Sequence, residues 1–231
     1  MAAARLDDRS DGLNWVAMGD SVTFGQHIDP ELRWTTLVER RLADRFDGMV
    51  EAHNRGVSGE TTRMGLERFP QDVQQLEPDL VTIQFGMNDC NCWETDRGQS
   101  RVSERAFQAN LIEMIARVRR FGARRIILST NHPTLRFAPM LSGEEYESAN
   151  ARYSELVREV AAEEKVDLCD IRRAFEAFST EELEALLLPY PDQLHLGPAG
   201  NEVYADAMWP FVKQAATDLL DEGARVGGPS R

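Results

Sequence analysis

Five strand-like runs punctuate this chain at regular intervals: LNWVAMG (13–19), MVEAHNRG (49–56), DLVTIQFG (79–86), RRIILSTN (124–131) and VDLCD (166–170). Between them the apolar positions change to a helical period. Phe107, Leu111, Met114, Ile115 and Val118 fall on one helical face, as do Tyr146, Ala149, Tyr153, Leu156 and Val160. Strand and helix alternating at this spacing leave few options, because parallel neighbours need a crossover and a helix is the usual one. Nearly continuous apolar runs suit strands covered on both faces. The expectation is an α/β protein, a three-layer α/β/α sandwich around a central five-stranded parallel sheet.

With 231 residues the chain is expected to form a single domain over 1–231. Its polar or Gly-rich ends, 1–12 and 222–231, are expected to fray. Lys plus Arg number 26 against 39 Asp plus Glu, a formal charge of −13. Such a surface repels phosphate backbones and anionic bilayers, which argues against nucleic acid and membrane partners. No window approaches the roughly 18 apolar residues of a membrane span. The opening MAAARLDDRSDGLN has alternating charge and no apolar centre, so no secretory leader is expected. Cys90, Cys92 and Cys169 are an odd set without framework spacing and read as reduced thiols, in keeping with a cytoplasmic location. The pair Cys90 and Cys92 is too closely spaced for a zinc site, and no metal or cofactor is expected. The sequence specifies no oligomeric state.

In an open α/β sheet, ligands bind beyond the carboxyl ends of the strands. Here those ends are polar: Gly19-Asp20-Ser21, then NRGVSGETT (54–62), GMND (86–89) and NHPT (131–134). The connection NDCNCWETDRGQSRVS (88–103) is longer than ordinary loops and borders the same edge. Further on, PDQLHLGPAGN (191–201) precedes the last helical segment.

Serine is a weak nucleophile unless a histidine takes its proton and a third group orients the imidazole. Asp192 and His195 stand at i and i+3, close enough on a turn for the carboxylate to hold Nδ1–H and leave Nε2 for a serine. Acyl transfer also needs donors aimed at the developing oxyanion, for which Ser21, Gly59 and Asn88 are candidates.

GDSVTFG, the glycine of NRGVSGETT, GMND and DQLH, in this order, resemble the four blocks of the SGNH hydrolases, also called GDSL-type esterases and lipases. The resemblance covers about residues 13–212. It implies a flavodoxin-like sheet and no cofactor, with Ser21 as nucleophile, His195 as base and Asp192 as its orienting carboxylate. It also implies an oxyanion hole built by the Ser21 amide, Gly59 and Asn88. The substrate would be a small-molecule ester with a small or medium acyl group; a thioester or a lysophospholipid would suit the same residues.

Other residues have plainer readings. Asp20 reads as a cap that bonds nearby amides, and Asp89 as support for its loop. His27 and His53 read as surface or strand-end residues; His132 lies nearer the expected site. Trp34, Trp93 and His132 are expected to line a substrate pocket, although loop tryptophans often cover a core. The segment HPTLRFAPMLSGEEY (132–146) is apolar enough to form a wall or lid. Ser58, in GVSG, is the rival nucleophile, but the second glycine comes one residue too early for a GxSxG elbow. A metal-dependent phosphoesterase needs more ligands than four histidines and no opening Asp-x-His pair supply. A dinucleotide-binding module would need GxGxxG at the first turn, where Gly19-Asp20-Ser21 stands.

Overall fold

The computed structural model describes residues 12–226. Five strands form one parallel sheet: β1 (Leu13–Gly19), β2 (Val50–Gly56), β3 (Leu80–Gln84), β4 (Arg125–Ser129) and β5 (Asp167–Cys169), in the order β2-β1-β3-β4-β5. All five lie where the strand-like runs predict, with β5 shortened to three residues at the sheet edge. The central strands β1, β3 and β4 are buried along almost their whole length, whereas β2, at the other edge, is partly exposed. That difference explains why VEAHNRG carries charges and the central strands almost none.

Among the described residues the α-helices are α1 (Ser21–Phe24), α2 (Trp34–Phe46), α3 (Thr62–Asp72), α4 (Glu104–Arg120), α5 (Tyr146–Glu164), α6 (Ile171–Phe175), α7 (Thr180–Leu186) and α8 (Pro198–Val226). α2 packs on α8 on one face of the sheet, and α3, α4 and α5 pack in sequence on the other. The apolar faces predicted for α4 and α5 are the faces they bury. Each fully buried large apolar side chain on these faces is worth about 1.5–3 kcal/mol relative to exposure. The ends expected to fray fall largely outside the described residues, except that 222–226 continue α8.

Strand order reverses at β1: the chain leaves β1 for β2 on one side and returns to β3 on the other. Such a switch point opens a crevice at the carboxyl ends of β1 and β3. Close backbone packing shapes it. A Cβ on Gly19 would lie 2.2 Å from Thr23 Oγ1, and one on Gly56 would lie 2.1 Å from the Phe24 amide nitrogen. Only glycine lets α1 sit directly on the ends of β1 and β2.

Candidate active site

Ser21 opens α1, a single helical turn that starts as β1 ends. Asp20 is its N-cap, and Oδ1 accepts from the Val22 amide at 3.0 Å, as expected of a cap. The Asn88 amide group donates to Asp20 Oδ2 at 3.4 Å, which ties the loop after β3 to the turn after β1. Complete burial pushes the Asp20 carboxyl up to about 7, and the nearby Asp89 charge adds to the rise. Asp89 anchors the start of α3, accepting from the Thr62 amide at 2.9 Å and from the Thr62 hydroxyl. Burial raises its carboxyl to about 6.

His195 reaches Ser21 from far along the chain. Its Nε2 lies 2.9 Å from Ser21 Oγ, across 174 residues of sequence, and its Nδ1 lies 2.8 Å from Asp192 Oδ2. The other Asp192 oxygen accepts from the amides of Leu194 at 3.0 Å and His195 at 2.7 Å. Gln193, between them, takes the left-handed conformation that lets the turn fold back on its own carboxylate. Burial tends to raise the Asp192 carboxyl, but these three bonds outweigh it and hold it below its usual range. Burial lowers the His195 imidazole, opposed by Asp192 and assisted by the neighbouring His27.

The turn bearing Asp192 and His195 is strapped from behind by the segment 132–146. Arg136 Nε donates to the Asp192 carbonyl at 2.7 Å, and the Leu135 amide donates to the Gln193 carbonyl at 3.0 Å. Phe137 and Leu141 of this segment are exposed.

Gly59 sits in the turn after β2 with φ of 80°, a conformation that favours glycine. Its carbonyl accepts from Arg101 Nη1 at 3.0 Å, and the preceding turn is fastened to β1 by the Val57 amide on the Gly19 carbonyl, also 3.0 Å. Among the described residues, the amides of Ser21 and Gly59 donate to no protein group. Both amides are therefore without a protein acceptor among these residues.

Two of the three expected pocket residues lie elsewhere. Trp34 is 1% exposed; it stacks on Tyr204 at 4.6 Å, and its Nε1 donates to the Val22 carbonyl at 3.1 Å. Its place is the core under α1, because the start of α2 turns that ring inward. His132 is fully buried and donates from Nε2 to the Leu194 carbonyl at 2.8 Å, with burial lowering its imidazole to about 4. It braces the Asp192–His195 turn and does not face a ligand. Trp93 is half exposed in the 88–103 loop, with the Arg101 guanidinium 3.8 Å above its ring. Ser58 is exposed in the turn before Gly59. Neither Arg101 nor Arg136 carries a sequence signal for its role, since both act on backbone carbonyls distant in the chain.

Among the described residues, one group of three metal-capable side chains is close together, His27, Asp192 and His195. A two-metal phosphoesterase centre needs more donors than these. Cys90, Cys92 and Cys169 are buried and unpaired, and no helix among the described residues is long and apolar enough to cross a membrane.

The chain matches the GDSL-like Lipase/Acylhydrolase family over residues 17–203. It is 29% identical over 215 residues to esterase TesA of Pseudomonas aeruginosa, spanning 92% of this chain and 94% of that protein. It is 28% identical over 235 residues to the isoamyl acetate-hydrolyzing esterase 1 homolog of Rattus norvegicus, spanning 95% and 90% respectively. The structure is similar to the lipase/acylhydrolase from Enterococcus faecalis, with a TM-score of 0.71, 27% identity and coverage of 87% of this chain and 96% of that one. With the motifs in order along a sheet of the same architecture, the chain belongs to the GDSL-like lipase/acylhydrolase family, whose members act on ester bonds.

Proposed function

We propose that the protein is a serine-dependent carboxylic ester hydrolase acting on a small or medium acyl group, with Ser21 as nucleophile, His195 as general base and Asp192 as the carboxylate that orients it. The observation that carries this reading is the continuous path from Ser21 Oγ through His195 to Asp192, at 2.9 and 2.8 Å. Burial favours the neutral form of His195 that a base needs, and three donors favour the ionised form of Asp192.

Ser21 Oγ attacks the ester carbonyl as His195 Nε2 takes its proton. The oxyanion that forms meets the Ser21 and Gly59 amides and the Asn88 side chain, and collapse expels the alcohol with the proton from His195. Water then repeats the sequence on the acyl-enzyme and releases the acid. Asp20 contributes by holding Asn88, and Arg101 by holding the Gly59 carbonyl, which fixes the turn that carries the Gly59 amide. The similarity to a protein named as a homolog of an isoamyl acetate-hydrolyzing esterase favours a short acyl chain. The exposed Phe137, Leu141 and Trp93 offer apolar surface to an acyl or alcohol group. Reduced, buried cysteines and a net charge of −13 fit a cytoplasmic protein with neither nucleic acid nor membrane as partner.

The decisive test is hydrolysis of p-nitrophenyl acetate by wild type, Ser21→Ala and Ser58→Ala, each with and without EDTA. Loss of activity in Ser21→Ala alone, untouched by chelation, supports the reading. Activity that survives in Ser21→Ala, or disappears with EDTA, overturns it.

A further inference from the structure

His27 plays no part in the reaction above, yet its ring stands edge-on to that of His195, with centroids 5.7 Å apart and planes at 86°. It holds this place in the left-handed conformation, φ 65°, which a non-glycine residue adopts only when its surroundings favour it. One ligand atom from each of His27, His195 and Asp192 lies within 4.8 Å of the others. Two imidazoles and a carboxylate are a donor set suited to Zn2+ and its first-row neighbours, and three protein ligands leave a fourth position for water. Metal–ligand bonds of about 2.0–2.2 Å place tetrahedral donors roughly 3.3 Å apart, so closure requires a shift of up to about 1.5 Å. His27 can make it. It is exposed, and its one side-chain hydrogen bond among the described residues is to Gln26, at 2.9 Å.

We propose that His27, His195 and Asp192 form a binding site for a divalent transition-metal ion of the zinc class, and that its occupancy switches the hydrolase off. An ion held by Asp192 and His195 together sits on the Nδ1 side of the ring, where Asp192 Oδ2 lies 2.8 Å away. There it displaces the bond that aims the ring and leaves the imidazole proton on Nε2, where Ser21 needs a lone pair. The exposed ring of His27 gives the ion a path from solvent, and the chain's net charge of −13 raises the local cation concentration. No covalent step is involved; the ion binds and leaves.

The inhibitory part rests on the serine reading proposed above, whereas metal binding by these side chains does not. The experiment separates them. ZnCl2 is titrated against p-nitrophenyl acetate hydrolysis by wild type and His27→Asn, each rate normalised to its own metal-free value. Asparagine is chosen because it tolerates positive φ. In parallel, Co2+ is titrated into Ser21→Ala and Ser21→Ala/His27→Asn, with the visible ligand-field absorption read without turnover. Expected are zinc inhibition of wild type reversed by EDTA, a midpoint at least about tenfold higher in His27→Asn, and Co2+ binding weakened by a similar factor when His27 is absent. Equal midpoints with and without His27, equal Co2+ affinity in the two inactive variants, or activation by Zn2+ overturns the proposal. Should Ser21→Ala keep esterase activity, the serine reading fails, and the Co2+ titration still decides the metal site.

Discussion

In the turn after β1, Asp20 and Ser21 are buried and their neighbours Gly19 and Gly56 admit no side chain, so the backbone itself sets where Ser21 stands. In the 88–103 loop, Trp93 is half exposed and its register depends on side chains: Arg101 spans from the Trp93 ring to the Gly59 carbonyl, and Asp96 accepts from the Trp93 amide at 2.7 Å. Both regions border the same crevice, and Asn88 bonded to Asp20 joins them. A close-packed backbone resists displacement, because any shift meets hard contacts within a few tenths of an ångström. A loop held by a guanidinium and an aromatic face yields at a cost of about 1–3 kcal/mol. The rigid side suits the proposed nucleophile, which must meet a base at a fixed distance, and the compliant side suits variation in the group being bound.

This contrast orders the expected effects of substitution. The largest falls on the rigid side: His195→Ala should lower kcat for p-nitrophenyl acetate by several orders of magnitude, as for members of a unit that fail together. A loss under tenfold would show that the Ser21–His195 bond does not carry the chemistry. Next comes the junction. Asn88→Ala should lower kcat by about 10²–10³ with little change in KM, the scale of one lost oxyanion donor. A change confined to KM would move Asn88 from the rigid to the compliant side.

On the compliant side, Trp93→Ala should raise KM by less than about tenfold and leave kcat for a short ester nearly unchanged. Arg101→Ala should lower kcat more than Trp93→Ala does, by about tenfold, because it frees the Gly59 peptide as well as the loop. Equal effects of the two on kcat would break the distinction drawn here between binding surface and positioning.

The smallest effect is in the pH profile. Burial lowers the His195 imidazole from its ordinary 6.5, so the neutral base persists below that pH. The acid limb of kcat/KM should therefore have its midpoint below 6.5, with activity lost as pH falls through it. Replacing the neighbouring His27 by asparagine removes a like charge and should move that midpoint upward. A shift downward would contradict the placement of the two rings.

The Asp192–His195 turn and the helix faces were legible because both are local. Asp192 and His195 close a turn through bonds over two and three residues, and the faces of α4 and α5 follow from periodicity alone. Trp34 and His132 were misread as pocket residues for the opposite reason. Trp34 stacks on Tyr204 and donates its amide to Asn201, 167 residues away, and His132 bonds the Leu194 carbonyl, 62 residues away. Nothing near either residue announces such partners.

The sequence by itself determined the five strands, the apolar faces, the Asp20 cap and the Asp192–His195 turn, since each depends on residues a few positions apart and on side-chain chemistry that spacing preserves. Only the tertiary structure decided which side of the sheet each loop joins, that Ser21 and His195 meet at 2.9 Å, that Arg101 holds Gly59, and that His27 stands beside the candidate base. Those meetings depend on how packed helices and strands close long loops, and a contact between distant residues leaves no trace in the order of either one's neighbours.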